Sequence, residues 1–171
     1  ARKTGLEHAS GDYIWHVDPD DWLELDAVAS IVDKIVQTGA DVVYFNLIKE
    51  YGDRSKIKRD RPHASDAQRE YVRDMYNHRS FGSVCNKCMR RSLYDKPNVI
   101  FAKFSYAEDT FLTSQLVGYS SSIAFLDKPL YHYRKTNPHS ITRQSRKKRR
   151  GEYAQNFLNL YENYRDVSPE V

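Results

Sequence analysis

Cysteine is scarce: Cys85 and Cys88 are the only two in 171 residues. Two cysteines do not make a disulfide scaffold, and their scarcity fits a reducing compartment. A structural zinc ion needs four ligands, and this C-x-x-C pair has no second pair or suitably spaced histidines beside it. Glycine is thinly spread as well, no two of the seven lying closer than Gly5 and Gly11. Neither G-x-x-x-x-G-K nor G-x-G-x-x-G can be built from them, which excludes the common phosphate-cradling loops. Long apolar runs are missing. The mean hydropathy is −0.76, and the longest stretch without a charge, Thr110 to Leu126, is about half Ser, Thr, Gln, Gly and Tyr. That falls below the demand of a membrane-spanning helix. The opening residues do not read as a secretory signal, and no internal repeat or low-complexity segment is visible.

What is present is a core-forming composition, 40% hydrophobic and 29% charged, in a chain the size of one ordinary domain. The net charge is +4, yet five positives form the unbroken run Arg146, Lys147, Lys148, Arg149 and Arg150. Without that run the body stands near −1, so a nucleic-acid-binding surface is not indicated. The run reads as a solvated segment or as a peripheral contact with an anionic leaflet.

Periodicity orders the chain. ARKTGLEHAS reads as the end of a helix closed by Gly11, and DYIWHVD as a strand. Asp26 is placed to cap a helix with Val28, Ile31, Val32, Ile35 and Val36 at helical spacing and Gly39 as its stop. ADVVYFNLI reads as a strand buried on both faces, and residues 51–62 as a mobile polar loop. A charged helix is expected over about 66–78, a short strand in SVCNKCM and a helical turn in RSLYD. Ser105 and Glu108 form an S-x-x-E capping box for a helix bearing Phe111, Leu112, Leu116 and Val117. SIAFLD and PLYHYR read as a strand pair joined through Lys128 and Pro129, followed by the basic run and a helix from about 152 to 165. Helix and strand in alternation argue for an α/β fold.

Three constellations can carry chemistry. In HVDPDDW, Pro19 keeps Asp18 extended, so Asp18 and Asp20 project to one side at the end of a strand. Open α/β sheets place ligands there, and hard divalent cations take one or two carboxylates. An ordinary strand-to-turn junction explains the same residues. In YAEDTF, Glu108 and Asp109 offer a general base. A capping box and the helix dipole explain them too, and a helix N-terminus lowers an acid's pKa, which weakens a base. In LYHYRKTNPHSIT, His132 could ligate a metal and Arg134 clamp a phosphate, unless this is a half-solvated edge strand.

Taken together, AR-x-x-GL-x-x-A-x-GDYI leading into VDPDDW, then N-K in CNKCMRRSLYD, then AEDTF, then PLYHYR with Ser140-Ile141-Thr142, resemble the family 2 glycosyltransferases. These are inverting enzymes of the GT-A fold, and the order and spacing of the motifs match over about 140 residues. The resemblance implies a mixed sheet flanked by helices, with residues 1–142 as a partial GT-A domain and 143–171 as a basic segment and C-terminal helix. It implies Asp18 facing the donor's ribose, and Asp20 on a Mn²⁺ or Mg²⁺ ion bridging the diphosphate, with Asp21 and His132 as neighbours of that metal. Asp109 becomes the base for the acceptor hydroxyl, with Glu108 beside it; Arg134, Ser140 and Arg2 become contacts of the diphosphate or donor.

The implied partners are a nucleotide-sugar, with UDP the favoured nucleotide, and a glycan or lipid-linked acceptor. A cytoplasmic place, with contact to the inner membrane face through 146–150, accompanies them. Lys3 departs from the family's usual Asn. The segment that holds the nucleotide base in relatives lies upstream of the residues matched here, so these 171 residues by themselves are expected not to turn over and to be prone to self-association. Two other readings stay open: a catalytically silent interaction module on the same scaffold, and a metal-dependent phosphoryl- or nucleotidyl-transferring enzyme.

Overall fold

The computed structural model describes residues 2–104, 106–137 and 146–164. Helix α1 (Arg2–His8) leads to β1 (Tyr13–Trp15), β2 (Trp22–Leu23), α2 (Ala27–Thr38), β3 (Val42–Glu50) and β4 (Ser55–Lys58). Then come α3 (Gln68–Tyr76), β5 (Lys87–Arg90), a 3₁₀ turn (Arg91–Leu93), α4 (Glu108–Tyr119), β6 (Ile123–Arg134) and α5 (Arg146–Tyr164). The strands form one sheet in the order β1-β5-β3-β6-β2, with β4 also on β3. Only β3 and β6 run parallel; the other pairings are antiparallel. The result is the mixed sheet flanked by helices that the motif order implied.

The near-continuous apolar run of β3 is explained by burial on both faces. Val42 and Tyr44 join Tyr71 and Met75 of α3 and Leu112, Leu116 and Val117 of α4 in one core. Val43, Phe45 and Leu47 join Ala27 and Ile31 of α2 with Leu130 and Tyr131 of β6 in the other. Each Val, Leu, Ile, Phe or Met among them, fully withdrawn from water, contributes about 1.5–3 kcal/mol. Gly39 ends α2 in the left-handed region, at φ 64°, its N–H bonding back to Ile35, as the sequence predicted.

Several expected elements differ. Residues 51–62 are not a loop throughout: β4 folds back on β3, pairing Lys49 with Lys56 and Leu47 with Lys58. SIAFLD and PLYHYR are one strand, β6, parallel to β3 along its length with a register shift around Asn46. Pro129 therefore marks an irregularity rather than a turn, which suits a residue without a ladder N–H. The apolar set of α2 is divided, with Ile31 buried and Val28, Val32 and Val36 exposed at 60%, 49% and 79%. Asp26 makes no cap hydrogen bond; its carboxylate accepts from Ser30 and Lys128 instead.

Helix α4 starts at Glu108 with Ala107, at φ 61°, in the capping position. Glu108 is therefore the first helical residue and not the third, as the expected capping box would have it; Ser105 lies outside the described residues. The basic run opens α5 rather than preceding it. That helix is tied to the body by Asn156, whose amide donates to the carbonyls of Phe104 and Tyr106. Among the described residues no helix is long and apolar enough to cross a membrane.

Candidate active site

The acidic turn after β1 is held by the end of β6. The Asp21 N–H donates to the Asp18 carbonyl at 3.1 Å. The Tyr131 hydroxyl accepts from the Asp18 N–H at 3.0 Å and donates to Asp21 Oδ2 at 2.7 Å. Arg134 N–H donates to Asp21 Oδ1 at 2.7 Å. Both Asp21 oxygens are thus spent on fixing the turn, which leaves Asp18 and Asp20 to face a cleft of about 970 Å³. Asn137 donates to Asp20 Oδ2 at 2.6 Å.

Across that cleft stands the first turn of α4, with Glu108 and Asp109 among its lining. Arg2 joins the two acidic motifs. Its guanidinium lies 2.8 Å from Asp109 Oδ1, 3.0 Å from Glu108 and 3.7 Å from Asp18. The 2.8 Å contact is an ion pair outside hydrogen-bond alignment, so buried Asp109 Oδ1 has no hydrogen-bond donor. Burial pushes the Asp109 carboxyl up to about 6, with the Glu108 charge adding to it and Arg2 opposing. Burial here outweighs the helix N-terminus, so the expected weakening of this base does not hold. Asp18 is also raised, by burial first, against Arg2 and with the Asp109 and Asp20 charges adding to it.

Two of the residues implied as metal neighbours are not brought to this cleft. The strand alternation sends His132 to the other face of β6. There Nδ1 meets Glu50 at 2.7 Å, Nε2 meets Glu24 at 3.0 Å, and the ring stacks on Trp22. With a carboxylate within hydrogen-bond distance of each nitrogen, His132 is engaged away from the cleft. Asp21 is absent from the cleft lining, and each of its oxygens accepts a hydrogen bond that fixes the turn. Arg134 lines the rim with its guanidinium over the Trp22 ring at 5.5 Å. Ser140 lies outside the described residues.

The structure also shows what local patterns did not. Lys87 is fully buried, and its ammonium donates to the carbonyls of Phe81 and Ser83 and to Asn86 Oδ1 at 2.6–2.8 Å. Burial lowers its pKa to about 8, against the Asp60 charge. It thereby ties down the 81–83 loop, which lines the cleft next to Asp109. Gly82 is required there: a Cβ would come within 2.9 Å of Thr110 Cβ. The visible signal was a lysine inside the apolar VCNKCM run. Cys85 and Cys88 are buried and their thiols are pushed up to about 12 by that burial, which removes thiolate chemistry. His63, Glu70 and Asp74 cluster outside the cleft lining, where Arg61 already pairs with Asp74.

The comparisons with known proteins fit this geometry. The family model described as glycosyl transferase family 2 matches residues 1–96. EpsH of Bacillus subtilis (strain 168), named as a glycosyltransferase, is 26% identical over 139 residues, covering 78% of this chain and 40% of EpsH. The glycosyltransferase GlyA of Streptococcus pneumoniae serotype 4 is 28% identical over 148 residues, 78% of this chain and 20% of GlyA. A crystal structure of S. aureus TarS 1-349 superposes with a TM-score of 0.67 at 18% identity, covering 96% of this chain and 44% of that one. The chain spans less than half the length of the curated relatives it matches. On the family match, which covers more than half of its residues, the chain belongs to glycosyl transferase family 2.

Proposed function

We propose that this chain supplies the metal-binding and acceptor-activating half of an inverting glycosyltransferase that uses a UDP-sugar. The observation that carries the reading is the meeting of Asp18 and Asp20 with Asp109 across one cleft. UDP is favoured because TarS has been crystallised in complex with UDP-GlcNAc and with UDP.

The acidic turn fits a divalent cation. Asp18 and Asp20 lie two residues apart on one turn, both half-buried and both lining the cleft, and burial first, with the Asp109 and Asp20 charges adding to it, raises the Asp18 pKa against Arg2. Asp20 and Asp18 would hold Mn²⁺ or Mg²⁺, which would offset charge gathering on the departing diphosphate. Arg134, on the rim, adds a guanidinium for the same oxygens, and Ser140 is proposed to join it.

Asp109 accepts the acceptor hydroxyl's proton as that oxygen attacks the anomeric carbon, on the face opposite the leaving diphosphate. One displacement then inverts the centre, and a pKa near 6 leaves the base ionised at neutral pH. Arg2 stays with the carboxylates and orients Asp109, a positioning role in place of the donor contact implied earlier.

The acceptor is a growing polysaccharide or a lipid-linked glycan. The protein works at the cytoplasmic face of the membrane, approached through the basic start of α5. Since the chain spans 40% of EpsH and 44% of the TarS chain, we propose that these 171 residues do not turn over unaided. The test is UDP release from a panel of UDP-sugars by the full-length protein and its Asp109→Asn variant. Metal-dependent release lost in the variant supports the reading; equal release by both would remove Asp109 from the chemistry.

A further inference from the structure

The sheet sorts its charges by face. In antiparallel pairing, opposite residues share a side, and Lys49 pairs with Lys56 while Leu47 pairs with Lys58. Lys49 also pairs with Tyr133 in the parallel β3–β6 ladder. The ladder continues through the bond from Lys135 N–H to the Glu50 carbonyl, so Lys135, two residues on, returns to the Tyr133 side. The acids go the other way: Glu50 and Glu24 lie with His132 on the opposite face.

On the cleft side this leaves Lys49 and Lys135, both half-buried and both lining the cavity. Lys58 and Lys56 continue the strip outward. Among the described residues, none of the four lysines lies in an ion pair. Lys135 rests its ammonium over the Tyr133 ring at 4.6 Å. Burial lowers the Lys135 pKa and the Asp21 charge opposes that, but Asp21 makes no ion pair with it and accepts instead from the Tyr131 hydroxyl and the Arg134 N–H.

Two ammonium groups that line one cleft, repel each other and lie in no ion pair are stabilised when an anion joins them. Burial lowers the pKa of Lys49, and the charges of Lys135 and Lys58 lower it further.

We propose that Lys49 and Lys135 form a subsite for an oxyanion of the acceptor, a phosphodiester or carboxylate group, so that the acceptor is an anionic glycan running out over Lys58 and Lys56. The word acceptor rests on the transferase reading above; the anion subsite does not.

The test is calorimetric titration of short-chain inorganic polyphosphate, without divalent metal, into the protein and its K49Q/K135Q variant. Neutral dextran serves as a control, and UDP is titrated separately with Mn²⁺. Removing two mutually repelling charges leaves a variant at least as stable as the parent. The expected result is polyphosphate affinity weakened about tenfold or more in the variant, lost by the parent at high salt, with UDP affinity unchanged.

Unchanged polyphosphate affinity, or no binding by the parent, overturns the subsite. An equal fall in UDP affinity also overturns it, because the lysines would then serve the donor's diphosphate. Failure of the transferase reading shows separately, as a parent protein that binds polyphosphate but not UDP.

Discussion

Arg2, in the first of the motifs, and Asp109, more than a hundred residues further along the chain, sit 2.8 Å apart in space. That ion pair fastens α1 to the first turn of α4 and brings both acidic motifs to one cation. It also bears on the protonation of Asp109, the proposed base, because Arg2 pulls down a carboxyl that burial pushes up.

The first prediction concerns Asp109→Asn. Transfer should fall by about 10²–10⁴. The sign for stability is opposite. A carboxyl raised from 3.8 to about 6 in the fold carries a cost once ionised, absent below the unfolded pKa and complete above about 6. The variant should therefore gain up to about 3 kcal/mol at pH 7, and nothing at pH 3, in urea unfolding.

In the unaltered enzyme, kcat/KM should rise with pH through about 6 as Asp109 ionises. Arg2→Gln removes the charge that favours ionisation, so the rise moves to higher pH. Three carboxylates are then left without their shared cation. The melting temperature should drop at pH 7, by about 1–2 kcal/mol of stability, and recover as acid neutralises Asp109. A pH profile that stays in place would show that Arg2 does not act on the base.

Lys87→Met is expected to be severe. It strands the carbonyls of Phe81 and Ser83 and Asn86 Oδ1 without their donor. Buried acceptors left unmet cost about 1–3 kcal/mol each at most. We expect a loss of about 3–5 kcal/mol in denaturant titration and faster hydrogen exchange in residues 81–84. Gly82→Ala should disturb the same loop through Thr110 with a smaller loss of stability and a clear loss of kcat.

Much of this was legible in the chain. The α2 stop at Gly39, the doubly buried β3 and the acidic ends of β1 and α4 follow from local rules, because each depends on residues adjacent in sequence. What was not legible depends on partners far along the chain. β4 looks polar because it lies on an exposed edge of β3, and β6 looks broken because Pro129 occupies a register shift. His132 and Asp21 carry metal-ligand chemistry in their side chains, yet Glu24, Glu50, Tyr131 and Arg134 had already claimed them. Lys49 and Lys135 acquire meaning only once β3 and β6 lie side by side.

The central claim is that Asp18 and Asp20 build a metal-assisted donor site. Calorimetric titration of UDP into the full-length protein, with and without Mn²⁺, tests it most directly, with Asp20→Ala as the comparison. The account predicts binding that needs the metal and is lost in the variant, while circular dichroism shows both proteins folded. Metal-independent binding of equal strength in the two, or none in a folded protein, would contradict it.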